Sequence, residues 1–286
     1  MITVQSLRFS YPRSRIEAVR GIDFTVAPGE VFGFLGPSGA GKSTTQKILL
    51  GSLRGYTGSA SVGGIDASKA DSAYRSRLGA AFEFPCFYHK LTGLENLELF
   101  GSFYPGPKDD PHSLLERLGL SDAADRRVGE YSKGMKMRLN LARAVLHRPR
   151  ALFLDEPTSG LDPTNARIVR DIIRERAADG AAVFLTTHDM AAADASCDRV
   201  AFLVDGQIVA CDAPAVLKRR YGRRAVVVER ENAVADGAAM PEFSLDGLAD
   251  NAAFLTELRK PGLLGVRTLD SSLDRIFLQL TGRELS

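Results

Sequence analysis

An apolar run, Val31 to Leu35, leads directly into Gly36-Pro37-Ser38-Gly39-Ala40-Gly41-Lys42-Ser43-Thr44 and then into the helix-patterned Gln46 to Leu50. Few features constrain a fold as strongly, because the spacing G-x-x-x-x-G-K-[ST] has a physical use only between a buried strand and the helix that follows it. The glycines let successive backbone N–H groups converge on phosphate oxygens, and the helix turns its positive end toward them. Lys42 adds a mobile charge at the outer phosphates, and Ser43 offers a hydroxyl to a magnesium ion. The segment specifies a phosphate-binding turn on an α/β scaffold.

The rest of the chain agrees with that scaffold. Short apolar runs at Val31 to Leu35, Ala151 to Leu154 and Val183 to Thr186 alternate with helix-spaced segments, the pattern of a parallel sheet covered by helices. Ile2 to Phe9 and Ile22 to Val26 alternate apolar and polar residues, which predicts an N-terminal antiparallel part. From about residue 74 to 148 strand runs thin out, and Ser113 to Leu118 and Met135 to Leu146 read as helices, predicting an inserted helical subdomain. Val204 to Ile208 reads as a hairpin turning at Asp205-Gly206. The pattern changes at the basic segment Lys218 to Arg224, so residues 1–220 are expected to form one domain and 221–286 a small α+β tail. In that tail we expect a strand at Ala225 to Glu229, a helix near Leu248 to Leu258, a strand at Leu263 to Leu269, and a helix from Leu273 to Leu280. A capping box at Ser271 and Asp274 is expected to open the last helix.

Composition narrows the setting. A formal charge of +2 gives no global field to recruit nucleic acid. Three cysteines without C-x-x-C spacing suit neither a disulfide framework nor a zinc site, which predicts a reducing compartment. The start of the chain lacks a secretory pattern, and no apolar run approaches the roughly 20 residues of a membrane span. A cytoplasmic location is expected.

A second chemical element lies at Ala151-Leu152-Phe153-Leu154-Asp155-Glu156-Pro157. An apolar strand delivers Asp155 toward magnesium, and the adjacent Glu156 is placed to take a proton from an attacking water. The third is Tyr131-Ser132-Lys133-Gly134-Met135 at the head of a helical stretch, where Ser132 suits an N-cap and Gly134 permits close approach of an anion. The segment resembles the signature motif of ABC transporter ATPases, usually LSGGQ, with Lys133 in place of a glycine. Between the other two motifs it identifies the chain as similar to that family, and implies a P-loop NTPase fold of the ABC ATPase type.

The resemblance extends to further positions. Tyr11 resembles the aromatic that stacks on adenine, and Glu83 occupies the position usually held by a glutamine that meets magnesium or water. Asp162, in Ser159-Gly160-Leu161-Asp162, resembles the loop that crosses between subunits, and His188, in Thr186-Thr187-His188-Asp189, resembles the histidine that touches the γ-phosphate. The implied cofactors are ATP and Mg2+. The implied assembly is a head-to-tail homodimer, or a pair with a similar subunit, on the cytoplasmic face of the membrane beneath a separate transmembrane permease. The aromatic stretch Phe84 to Tyr88 serves either as subdomain core or as permease dock. The ending Leu273 to Arg283 resembles exporters of the ABC-2 type, implying export of drugs, lipids or other amphiphiles. A soluble ABC ATPase acting on nucleic acid or ribosomes is the alternative.

Overall fold

The computed structural model describes residues 1–12, 14–222, 225–230, 240–269 and 272–283. They fall into two compact units, Met1–Pro214 and Ala215–Glu284. The division lies ahead of the basic segment, at the head of a helix spanning Pro214–Tyr221.

The first unit is built on two sheets. One is antiparallel, in the order β2 (Glu17–Val26), β1 (Ile2–Ser10), β4 (Thr57–Val62), β5 (Ile65–Asp66). The other has six strands in the order β10 (Gln207–Asp212), β9 (Arg199–Val204), β3 (Val31–Leu35), β8 (Ala182–Thr187), β7 (Ala151–Asp155), β6 (Leu78–Ala81). All its pairings are parallel except β9 with β10. The central strands are apolar up to their C-terminal ends because both faces are covered, and every residue of β3 and β8 is buried. The hairpin joining β9 and β10 turns at Asp205 and Gly206, whose φ angles of 48° and 78° are those of a two-residue turn that matches the strand twist.

A layer of aromatic rings joins the two sheets. Register places Phe32 beside Phe184 and Phe153 beside Phe184 on one face of the parallel sheet. Phe24 of β2 lies on them, with ring centroids 5.4 Å from Phe32 and 5.7 Å from Phe184. Ile48 and Leu49 of α1 (Lys42–Leu49) enter the same core. The phosphate loop is thereby anchored from both sides.

Strand β6, which follows the short helix α2 (Ser72–Arg75), falls inside the segment expected to be helical. Its sequence, Leu78-Gly79-Ala80-Ala81, carries no β-branched residue, and at Gly79 packing excludes any side chain, since a Cβ there would meet the Ala144 carbonyl oxygen at 2.1 Å. The helical segment proper therefore starts beyond Ala81. It holds α3 (Gly93–Ser102), α4 (Pro111–Arg117) and α5 (Lys133–Val145), each with a side-chain N-cap: Thr92 in a reciprocal capping box with Glu95, Asp110 and Ser132.

The second unit carries a three-stranded antiparallel sheet in which β11 (Ala225–Arg230) lies between β12 (Glu242–Ser244) and β13 (Leu263–Leu269). Val226 and Val228 pack with Phe254 of a helix at Ala252–Arg259. The helix expected near Leu248 to Leu258 is present as Ala252–Arg259, capped by Asn251, and its expected first turn is a separate 3-10 turn, Leu248–Asp250. The short β12 gave no run long enough to read. The last helix, Leu273–Thr281, is capped by Ser272, while Ser271 of the expected capping box lies outside the described residues, as do Arg223 and Arg224. Among the described residues no helix is long and apolar enough to cross a membrane.

Phe184 touches Phe24, Phe32, Phe34 and Phe153. Phe184→Ala is expected to cost about 3–5 kcal/mol through lost burial and a residual cavity, measurable as a lowered urea midpoint at unchanged slope.

Candidate active site

At the C-terminal ends of β3, β7 and β8, one cleft of about 510 Å³ is lined by Tyr11, Ala18, Ser38 to Thr44, Glu83, Asp155, Glu156 and His188. Parallel register explains the convergence, since Asp155 pairs with Thr186 and Leu35 with Thr187. Ligands of open α/β sheets bind at such an edge.

The phosphate loop is shaped by neighbours distant in sequence. Gly41 adopts φ 106°, and a Cβ there would lie 2.3 Å from the Ala18 carbonyl oxygen. Gly36 is pressed equally against the Leu203 carbonyl, 2.1 Å from a would-be Cβ. The tip of the β9–β10 hairpin supports the loop from below, as Gly206 N–H donates to the Ala40 carbonyl at 3.0 Å. No side chain caps α1, so its first N–H groups remain for an anion. Lys42 Nζ donates to the carbonyls of Gly36 and Pro37 at 2.6 and 3.0 Å. Burial pushes its ammonium pKa down, and the charges of Glu156 and Asp155 oppose that shift. Tyr11 is 40% exposed, its ring set edge-on to Phe9 and its hydroxyl 3.1 Å from Thr44 Oγ1. An exposed ring over the loop leaves a face on which a base can stack.

The acidic side is held by the end of β8. Thr186 donates its hydroxyl proton to Asp155 Oδ1. Glu156 is buried, with backbone φ 50° in the left-handed region unusual for a non-glycine residue. Its carboxylate accepts from the Thr187 hydroxyl at 2.8 Å and from His188 N–H at 2.9 Å, and His188 Nδ1 lies 2.6 Å from Oε1. Glu83 is half-buried on the segment after β6. Helix α5 pins that segment: Asn140 donates to the Phe82 carbonyl at 2.8 Å, and Arg143 to the Cys86 carbonyl at 2.7 Å. Arg143 also stacks over Phe87 and Phe100, 5.0 Å from each ring centre. The aromatic stretch therefore divides, with Phe87 packed and Phe84 and Tyr88 exposed.

Ser132, Gly134 and Asp162 do not line this cleft. Ser132 accepts from Met135 N–H at 3.2 Å as the N-cap of α5, and Asp162 caps the next helix, Pro163–Ala178, by accepting from Asn165 N–H at 3.0 Å. Hydrogen bonds from Asn165 hold the Asp162 carboxyl pKa below its usual range. The two caps are neighbours, since a Cβ on Gly134 would lie 3.3 Å from Leu161 Cδ2. Residues absent from the sequence-based site are Ala18, Thr186, Thr187, Asn140 and Arg143. The threonines were visible as the end of an apolar run and as neighbours of His188 without a role of their own, and an alanine or a mid-helix Asn and Arg carry no motif.

A parallel sheet whose strand ends hold a phosphate loop, an Asp-Glu pair and a histidine around one cleft defines a P-loop nucleoside triphosphatase. The family described as ABC transporter matches residues 19–159. The chain is 51% identical to the Fluoroquinolones export ATP-binding protein of Mycobacterium tuberculosis, over 100% of this chain and 95% of that one. A solved ATP-binding subunit of an ABC transporter superposes with TM-score 0.71 at 28% identity, covering 78% of this chain and 93% of that one. A dimeric bacterial ABC transporter cassette gives TM-score 0.67 at 25% identity, covering 74% and 98%. The chain belongs to the ABC transporter family as an ATP-binding subunit, and is an ATPase.

Because Gly41 combines positive φ with a carbonyl contact, Gly41→Ala is expected to abolish nucleotide binding at micromolar ATP. Equilibrium titration with a fluorescent ATP analogue checks this.

Proposed function

We propose that this chain is the ATP-hydrolysing subunit of a drug exporter of the ABC-2 type, driving a separate membrane permease from its cytoplasmic face. The observation that carries the reading is the single cleft joining Lys42, Asp155, Glu156 and His188, with Ser132, Gly134 and Asp162 outside it. A site split in this way suits two copies closing head to tail, each completing the other's nucleotide site with the N-terminus of α5. The dimeric cassette of the same fold supports that assembly. Export is supported by the name of the mycobacterial relative, matched over nearly its whole length.

Within the cleft, Tyr11 stacks on adenine, and residues 36–44 cradle the phosphates with Lys42 at the outer charge. The oxygen donors Ser43, Asp155 and Glu83 would hold a magnesium ion. Bound there, it would supply charge neutralisation for the outer phosphates. Glu156 accepts a proton from water as the water oxygen bonds the γ-phosphorus and the bond to the β-phosphate oxygen breaks, leaving ADP and phosphate. His188 orients the γ-phosphate and the base.

Glu156→Gln is expected to lower hydrolysis by about 100-fold or more while ATP binding persists and a dimer accumulates. Phosphate release and size-exclusion chromatography with ATP test both parts, and a normal turnover rate removes Glu156 as the base. Glu83→Gln should raise the magnesium concentration needed for half-maximal hydrolysis, read by titrating magnesium at saturating ATP.

A further inference from the structure

Thr187 holds the carboxylate of Glu156 from below, although no motif singles it out. The residue is 3% exposed at the end of β8. Its Oγ1 accepts the N–H of Asp189 at 3.0 Å and donates to Glu156 Oε2 at 2.8 Å. The first bond determines the direction of the second. With a backbone N–H on one lone pair, the single hydroxyl proton points to the carboxylate.

The other oxygen is engaged differently. Oε1 accepts His188 N–H at 2.9 Å and lies 2.6 Å from His188 Nδ1. An ionised carboxylate only accepts hydrogen bonds, so that contact places a proton on Nδ1. Each carboxylate oxygen offers about two acceptor positions. Those of Oε1 are both used, whereas Oε2 spends one on Thr187 and keeps one. The turn at Glu156, with φ 50° and its N–H bonded to the Thr186 carbonyl at 2.9 Å, brings the side chain to this place.

We propose that Thr187 is a positioning residue for hydrolysis, orienting Glu156 so that the remaining lone pair of Oε2 takes the proton of the attacking water. The inference rests on Glu156 as the base. In the step, one O–H bond of water breaks, its proton passes to Oε2, the water oxygen bonds the γ-phosphorus, and the bridging P–O bond breaks toward ADP. Thr187 transfers nothing. It limits the carboxylate to one orientation, so its loss acts on turnover and leaves ATP binding alone.

The test compares Thr187→Val, which keeps shape and loses the hydroxyl, with Thr187→Ser, which keeps the hydroxyl. Steady-state ATPase measurements on the full chain are expected to give a kcat reduced about 10- to 100-fold in Thr187→Val, less than the about 100-fold or more that loss of the base itself costs, with KM for ATP within about twofold. Thr187→Ser is expected to retain kcat within about threefold. A wild-type kcat in Thr187→Val overturns the inference, as does an equal loss in Thr187→Ser or a matching rise in KM. If Thr187→Val does not fold, Thr187→Ala against Thr187→Ser decides by the same split. Glu156→Gln separates the two layers: a dead Glu156→Gln beside a normal Thr187→Val sinks only the role of Thr187, whereas an active Glu156→Gln removes the base itself.

Discussion

The parallel registry of β7, β8 and β3 is the constraint on which the site depends. Pairing Asp155 with Thr186 and Leu35 with Thr187 brings three strand ends to one level at one edge of the sheet. A slip of one residue in any of them would turn every side chain to the opposite face. Burial on both faces forbids that slip, because the rings of Phe32, Phe153 and Phe184 form the aromatic layer beneath Phe24. The same contacts that stabilise the core thus set the distance between the phosphate loop and the acidic pair.

Around that rigid edge, each functional loop is held by a partner from another part of the chain. The phosphate loop rests on carbonyls at Ala18 and Leu203 and on the hairpin at Gly206. The segment bearing Glu83 is tied to α5 by Asn140 and Arg143. Helix α5 begins at Ser132, beside the loop that ends at Asp162. A displacement of α5 therefore reaches both Glu83 and the neighbourhood of Asp162 through direct contacts. Such links are the physical means by which an event on the helical segment can be felt at the nucleotide cleft.

Charge in the cleft is arranged in opposition. Lys42 is partly desolvated, which weakens its ammonium form, while Asp155 and Glu156 across the cleft favour it. The carboxylate of Glu156 is itself held by donors from Thr187 and His188. A substrate rich in negative charge enters between a cation and N–H groups on one side and carboxylates on the other, which calls for cation compensation near the carboxylates.

Local sequence determined the strands with strong apolar runs, the phosphate loop, the Asp205-Gly206 turn and the cap at Ser132. Each of these depends on a few adjacent residues whose chemistry has one good use. Tertiary structure decided what proximity decides. Strand β6 could not be read because Gly79 is required by the backbone of α5 and not by strand propensity. The start of the helix at Ala252 turned on one residue, Asn251, whose side chain caps it by accepting from Phe254 N–H. Thr187, Asn140 and Arg143 carry no motif, since a hydroxyl, an amide and a guanidinium gain their roles only from the atoms that folding brings within hydrogen-bond reach. The kinds of group the chain contains were written in order along it, while their distances were set by sheet register and by the close packing of the core.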